Sequence, residues 1–234
     1  MNSSEYAYGH YRIDAATQDA AANDFLWKTY RWMSLGLAAT GLVAWMVANT
    51  PAVANAIFGN PILFYGLFIV EIGMVIAFSA VAHKVSALAA TGMFLAYAAV
   101  NGLTLGFVFL LYTQSSVAST FFITAGSFAG FSFVGATTKK DLSPIGRFLY
   151  MGLIGIIIAS VVNIFVASSA LGWVVSYAGV AIFAGLTAYD TQKLKRLYAE
   201  GGESGNLAVR GALILYLDFI NLFLLLLRFF GDRR

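Results

Sequence analysis

This 234-residue chain has no cysteine and few charged residues. The absence of cysteine excludes disulfides, thiolate metal ligands and cysteine nucleophiles. Only 11% of the residues are charged, whereas a water-soluble domain needs about 25% to cover its surface. Hydrophobic residues make up 60% of the chain, so lipid must cover most of the molecule. The composition therefore predicts a polytopic membrane protein.

Several familiar chemical motifs are also missing. The sequence has only two histidines, His10 and His83, which do not favour a zinc site. It contains no glycine-rich phosphate loop with a lysine, no His-Glu-x-x-His metal motif and no basic patch of nucleic-acid character. We therefore expect neither a resident cofactor nor a nucleic-acid partner.

Long apolar runs dominate the chain instead. Seven stretches are close to the roughly twenty residues that an α-helix needs to cross the hydrocarbon core. They cover residues 30–49, 62–82, 87–111, 117–137, 146–167, 171–190 and 207–230. This pattern predicts an all-α integral membrane protein, a bundle of seven transmembrane helices in contact with the lipid bilayer. It divides the chain into a polar amino-terminal tail, residues 1–29, and a transmembrane domain, residues 30–234.

Basic residues cluster at alternate ends of the spans, and this pattern predicts the orientation. The three loops at the opposite ends of the spans, residues 50–61, 112–116 and 168–170, carry no charge. The amino terminus is therefore predicted to be cytoplasmic. With an odd number of spans, Arg228 and Arg233 then lie outside the cytoplasm, against the positive-inside rule. The alternative is that the last apolar run re-enters the membrane and returns to the cytoplasm. The length of that run favours seven full spans.

Small residues spaced four apart indicate where helices approach closely. Gly102 and Gly106 lie on span three, and Gly126 and Gly130 on span four. In lipid, close backbone approach drives helix association, so these pairs predict helix contacts. The alternative is that the small face of span four lines a pore.

Two aspartates, Asp190 and Asp218, lie in the last two spans. A carboxylate at membrane depth costs at least about 2.5 kcal/mol, so it normally faces a partner, a cavity or an ion path. If the sixth helix continues through Lys195, the two carboxylates can meet in the inner half of the membrane. They would then share a proton or hold a divalent cation, and the two would compete for one site. The alternatives are that Asp190 caps a helix end near Lys193, or that the pair is a static clamp.

Polar residues on the seventh span share one helical face. Asp218, Asn221 and Arg228 follow the helical repeat, which predicts that this face points into the bundle and that the seventh helix is central. Glu71 lies near the middle of span two, with no basic residue one turn away. Arg228 is its predicted partner, in a buried pair that serves either packing or function.

Four segments resemble the bacterial branch of the Bax inhibitor-1 family, the transmembrane Bax inhibitor motif proteins. They are GATTKKDLS (135–143), MGLIG (151–155), AGLTAYDTQK (184–193) and GALILYLDFINLF (211–223). The resemblance covers about 200 residues and is densest in the carboxy-terminal half. It implies a seven-helix bundle with the seventh helix at its centre, in a bacterial plasma membrane.

The resemblance also implies a function. Asp190 and Asp218 match the family's paired aspartates, which respond to pH and are associated with calcium leak. Glu71 and Arg228 resemble a second acidic and basic pair. Some members carry a latch arginine beyond the acid of span two, where this chain has His83 and Lys84. The implied activity is a pH-regulated calcium leak, with calcium and protons as its ligands; other relatives regulate membrane proteins such as a membrane protease, which is the alternative.

An intramembrane aspartyl protease also places aspartates on neighbouring spans. The residues before Asp218 are Leu215, Tyr216 and Leu217, not the Gly-x-Gly that lets a substrate backbone approach. Pro144 is the last proline, so the Pro-Ala-Leu motif of such enzymes is missing. We therefore expect no enzymatic activity.

Overall fold

The computed structural model describes residues 3–202 and 205–234, with side chains from residue 17 onward. Eight helices make up this described part: α1 (Ser3–Ala48), α2 (Pro51–Phe58), α3 (Pro61–Val81), α4 (Ala87–Leu111), α5 (Gln114–Thr137), α6 (Ser143–Val166), α7 (Ser169–Gly201) and α8 (Leu207–Phe230). Seven are long and apolar enough to cross a membrane, and α2, with eight residues, is the exception. The predicted all-α membrane protein with seven spans is confirmed.

The first helix is longer than the predicted first span. The proposed boundary between residues 29 and 30 falls inside α1, whose membrane-crossing candidate segment is Thr17–Ala48. Alanine-rich sequence in front of the apolar run favours this extension, since alanine is the best helix former. Phe25 is buried and stacks on Tyr198 near the end of α7, with ring centroids 4.8 Å apart. The side chains of the tail before residue 17 lie outside the described ones.

Polar caps explain why the connections are so short. The Asn60 side chain accepts hydrogen bonds from the Ile62 and Leu63 amides at the start of α3. Ser86 and Thr113 likewise accept from backbone amides at the starts of α4 and α5. These bonds satisfy amides that have no partner within the helix, so each helix begins soon after the previous one ends.

The seventh span, α8, packs against α1, α4, α5 and α7. Its Ala212, Leu215 and Tyr216 are completely buried. By contrast, α6 packs mainly against α7, and α3 against α2 and α4. Both α3 and α6 expose many large apolar side chains, as helices that face lipid do.

The two glycine pairs differ in whether a neighbouring helix lies against them. A Cβ on Gly102 would lie 2.7 Å from the Thr40 carbonyl oxygen, and one on Gly106 would lie 2.7 Å from Val47 Cγ1, so both glycines allow α4 to approach α1. Gly126 and Gly130 face open space, so the prediction that they make helix contacts is wrong. The close approach of α5 to α7 occurs at Gly135 instead, against the Ala188 backbone.

The carboxyl terminus is fixed beside the turn between α4 and α5. Tyr112 and Arg233 form an isolated antiparallel bridge, and the Thr113 amide donates to the Asp232 carbonyl at 3.0 Å. The Asp232 amide donates to Ser116 Oγ at 2.9 Å. Since α8 is unbroken from the α7–α8 connection to this opposite end of the bundle, it crosses fully. The re-entrant alternative is wrong.

Replacing Gly135 with alanine tests the α5–α7 contact. The new methyl group would overlap the Ala188 backbone, and overpacking of this kind costs about 1–3 kcal/mol. We expect Gly135→Ala to lower the unfolding temperature in detergent. Gly130→Ala is the matched control on the same helix, and its methyl group would enter open space. Equal unfolding temperatures for the two variants would contradict this account of the contact.

Candidate functional site

A cavity of about 640 Å³ lies between α6, α7 and α8. Most of its wall is apolar, and its polar lining residues are Tyr150, Ser160, Asp190, Asp218 and Asn221. The cavity therefore brings the two predicted aspartates to one place. Pockets with few polar groups on an apolar wall are typical of binding sites.

Asp190 lies well inside α7, which continues to Gly201 as predicted. Its side chain is only 1% exposed, so the alternative that it caps a helix end is wrong. The Tyr150 hydroxyl lies 3.1 Å from Asp190 Oδ1 and 3.2 Å from Oδ2, and it donates to this carboxylate. Tyr150 of α6 thereby orients the carboxylate, a role that sequence analysis missed.

Asp218 lies on α8 across from Asp190. It is 5% exposed, and the two carboxylates are near enough to interact electrostatically. Its Oδ2 atom is buried and has no hydrogen-bond partner among the described residues. A buried oxygen without a donor costs free energy, which a proton or a cation would recover. The arrangement can thus take up a positively charged ligand.

Lys193 places a positive charge within electrostatic range of this pair. It interacts electrostatically with both Asp190 and Asp218. Its Nζ atom lies 5.9 Å from the ring centroid of Tyr150 and 5.7 Å from that of Tyr189. Lys193 follows Asp190 by three residues, so the two side chains lie on one face of α7. This spacing is visible in the sequence and could have indicated their interaction.

The predicted latch residues lie elsewhere. His83 and Lys84 are exposed in the turn that follows α3. Neither is among the groups that interact with Asp190 or Asp218. The structure therefore does not bring them to the site. The polar neighbour Asn221 does line the cavity, and its side chain donates to the Leu217 carbonyl at 2.8 Å.

The predicted pairing of Glu71 with Arg228 is wrong. Glu71 accepts hydrogen bonds from Asn101 Nδ2 at 3.3 Å and from the Thr104 hydroxyl, both on α4. Arg228 lies in the last turn of α8, with its guanidinium 5.3 Å from the Trp173 ring. Asp218 and Arg228 share one face of α8. Glu71, however, lies halfway along α3, whereas Arg228 lies at one end of α8.

A network of hydrogen bonds holds the loop between α5 and α6 against α7. The Gln192 side chain accepts from the Leu142 amide at 2.9 Å and donates to the Lys140 carbonyl at 2.8 Å. Arg196 bonds Asp141 at 2.7 Å and, with the Ser143 amide, holds the pKa of that carboxyl well below its usual range. These bonds fix the start of α6, the helix that carries Tyr150.

Metal binding at this site must involve few protein ligands. Among the residues that the structure describes, no group of three or more His, Cys, Asp or Glu side chains could hold a metal ion. Calcium takes about 6–8 oxygen ligands, so Asp190 and Asp218 would leave most of its shell to water. This donor set fits only a calcium ion that keeps most of its water shell.

Comparisons with known proteins identify relatives. A model of the family described as "Inhibitor of apoptosis-promoting Bax1" matches residues 22–234. The inner membrane protein YbhL of Escherichia coli K12 is 48% identical over 229 residues, which cover 95% of this chain and 98% of that protein. An uncharacterized protein of Borreliella burgdorferi is 46% identical over 216 residues, covering 91% of this chain and 93% of its own. The similarity extends over all seven spans.

Tyr150→Phe tests the hydrogen bond to Asp190. Leaving a buried carboxylate without its donor costs about 1–3 kcal/mol, so we expect a lower unfolding temperature in detergent. Tyr177→Phe is the matched control, because the Tyr177 side chain is 65% exposed and its hydroxyl makes no hydrogen bond within the described part of the chain. Equal losses in the two variants would show that the Tyr150 hydroxyl does not support the site.

Proposed function

This chain belongs to the Bax inhibitor-1 family, and from that premise we propose that it is a calcium leak of the bacterial inner membrane, regulated by protons at Asp190 and Asp218. The observation that carries the proposal is the shared cavity: it holds both carboxylates and a buried Asp218 oxygen without a donor. Neighbouring carboxylates at low dielectric favour bound protons or a cation. Protons and calcium would then compete for one site.

Two further observations support this proposal. The cavity is large enough for a cation with part of its water shell, and its apolar wall strengthens the attraction between the carboxylates and a cation. Lys193 adds a fixed positive charge that partly compensates the two acids while no cation is bound. Such a site holds calcium weakly, as a leak requires, because binding must be weak enough for the ion to leave.

The membrane and the orientation are part of the proposal. The Escherichia coli relative is named an inner membrane protein, which supports the same membrane for this chain. Basic residues of the α5–α6 loop and of the end of α7, such as Lys140 and Arg196, lie at one end of the bundle. The positive-inside rule places that end, and the amino terminus with it, in the cytoplasm.

Calcium flux into liposomes that hold the purified protein tests the function. We expect a protein-dependent flux that changes between about pH 5 and pH 8, and we expect Asp190→Asn and Asp218→Asn each to abolish or shift that pH dependence. Asp24→Asn is the control, because Asp24 is an exposed carboxylate of α1 that pairs with Lys28 and does not line the cavity. The absence of flux from folded protein at every pH would overturn the leak and favour a regulator that binds other membrane proteins.

Lys193→Gln tests the charge next to the aspartates. Removing this positive charge makes protonation of the acids easier, so the midpoint of the pH profile should move to higher pH, whichever form conducts. Lys195→Gln is the matched control, since the Lys195 ammonium bonds the Ala136 carbonyl and Asp19 instead. An equal midpoint in the Lys193 variant and the wild type would exclude Lys193 from the site.

A further inference from the structure

The aspartate cavity is much larger than a calcium ion needs. Six waters around an ion take up roughly 180 Å³ at about 30 Å³ each, whereas the cavity has about 640 Å³. Its lining also runs along α6 from Tyr150 to Ile164, a distance of about 21 Å at the helical rise per residue. A volume of this size is typical of sites for small organic molecules. The cavity therefore has room for an organic ligand that extends along it.

The acids lie toward one end of the cavity, and the other end is apolar. Tyr150 and Asp190 are in contact at the acidic end. The lining beyond them is formed by apolar side chains of three helices, which include Val161, Ile164, Val175, Leu224 and Leu225. Ser160 and Asn221 lie between the two ends, and each donates to a carbonyl of its own helix. The cavity is therefore amphipathic along its length.

The apolar end of the cavity is open toward lipid. α6 packs mainly against α7, so its other flank faces the membrane. Val161 is 50% exposed and Ile164 is 76% exposed, although both residues line the cavity. A ligand dissolved in the bilayer can therefore enter sideways between α6 and α8.

The ionised side chains at the acidic end leave one negative charge. Asp190 and Asp218 carry two negative charges, and Lys193 interacts with both and carries one positive charge. A ligand with a single positive charge balances this site, whereas a divalent ion leaves a net positive charge. Asp218 Oδ2 is a buried acceptor without a donor in the described structure, and a primary ammonium group has three N–H donors. The acidic end therefore fits a primary ammonium group.

We propose that the aspartate cavity binds a long-chain primary amine, with its ammonium group between Asp190 and Asp218 and its alkyl chain along the apolar wall toward Ile164. The ammonium group donates to Asp218 Oδ2 and so satisfies the buried oxygen. The chain lies against the apolar side chains at the open end. This binding goes beyond the proposed leak, since it needs the acids and the apolar wall but no ion flux.

Equilibrium binding of tritium-labelled dodecylamine to the purified protein in detergent tests the acidic end. The amine is charged at pH 7, because the pKa of a primary alkylamine is close to the value of about 10.4 for lysine. We expect saturable binding, and we expect Asp218→Asn to weaken it at least about tenfold, because the substitution removes both the charge and the free acceptor. Asp24→Asn is the matched control, at an exposed acid outside the cavity.

Dodecyltrimethylammonium tests the role of the N–H donors. It has the same chain length and charge as dodecylammonium but no N–H group. We expect unlabelled dodecylamine to displace the label and dodecyltrimethylammonium to displace it at least about tenfold less effectively. Equal displacement by the two compounds would overturn the ammonium site and show a groove that accepts any cationic alkyl chain.

Val161→Trp tests where the alkyl chain lies. The indole ring would fill part of the apolar end and should weaken dodecylamine binding several-fold. Val162→Trp is the matched control, because Val162 is the next residue of α6, is 46% exposed and does not line the cavity. Equal affinities in the two variants would overturn the placement of the chain.

Binding and flux together separate this inference from the proposed function. Calcium flux from a wild-type protein that shows no saturable dodecylamine binding would overturn the inference and leave the leak standing. Saturable, Asp218-dependent binding to a protein without flux would overturn the leak and leave the amine site standing. The absence of both would overturn both.

Discussion

The burial of two carboxylates on neighbouring membrane-spanning helices is the constraint on which the rest of the site depends. Each acid is costly at this depth unless something compensates its charge or its hydrogen-bonding groups. The Tyr150 hydroxyl donates a hydrogen bond to Asp190, and Lys193 lies near both acids. One oxygen of Asp218 keeps no donor within the described structure. Because the charges and oxygens of the two acids are only partly compensated, the site can take up a proton or a cation.

The surrounding fold keeps these groups in place by small residues and backbone bonds. Gly135 lets α5 approach α7 closely, and Gly146 lets the start of α6 lie against the Tyr189 ring. Gln192, two residues after Asp190, holds the α5–α6 loop and so sets where α6 begins. The family motifs therefore combine residues of the site with the residues that position its helices.

Hydropathy and helical spacing predicted the spans and the aspartate pair, because both depend on local sequence. The errors arose where contacts between distant helices decide. The Glu71–Arg228 pair followed from charge alone, but α3 packs against α4, where Asn101 and Thr104 satisfy the acid. Gly130 has the same spacing signal as Gly106, yet only Gly106 meets a neighbouring helix. Lys193 was within reach of sequence analysis, since it follows Asp190 by one helical turn; Tyr150, on another helix, was not.

The central claim is that Asp190 and Asp218 act as one site on a calcium path. A double-mutant cycle tests it most directly, by comparing calcium flux against pH for the wild type, Asp190→Asn, Asp218→Asn and the double variant in liposomes. The account predicts that the double variant has the same flux profile as either single variant, because each substitution alone removes the shared site. Independent effects of the two substitutions that multiply in the double variant would contradict it.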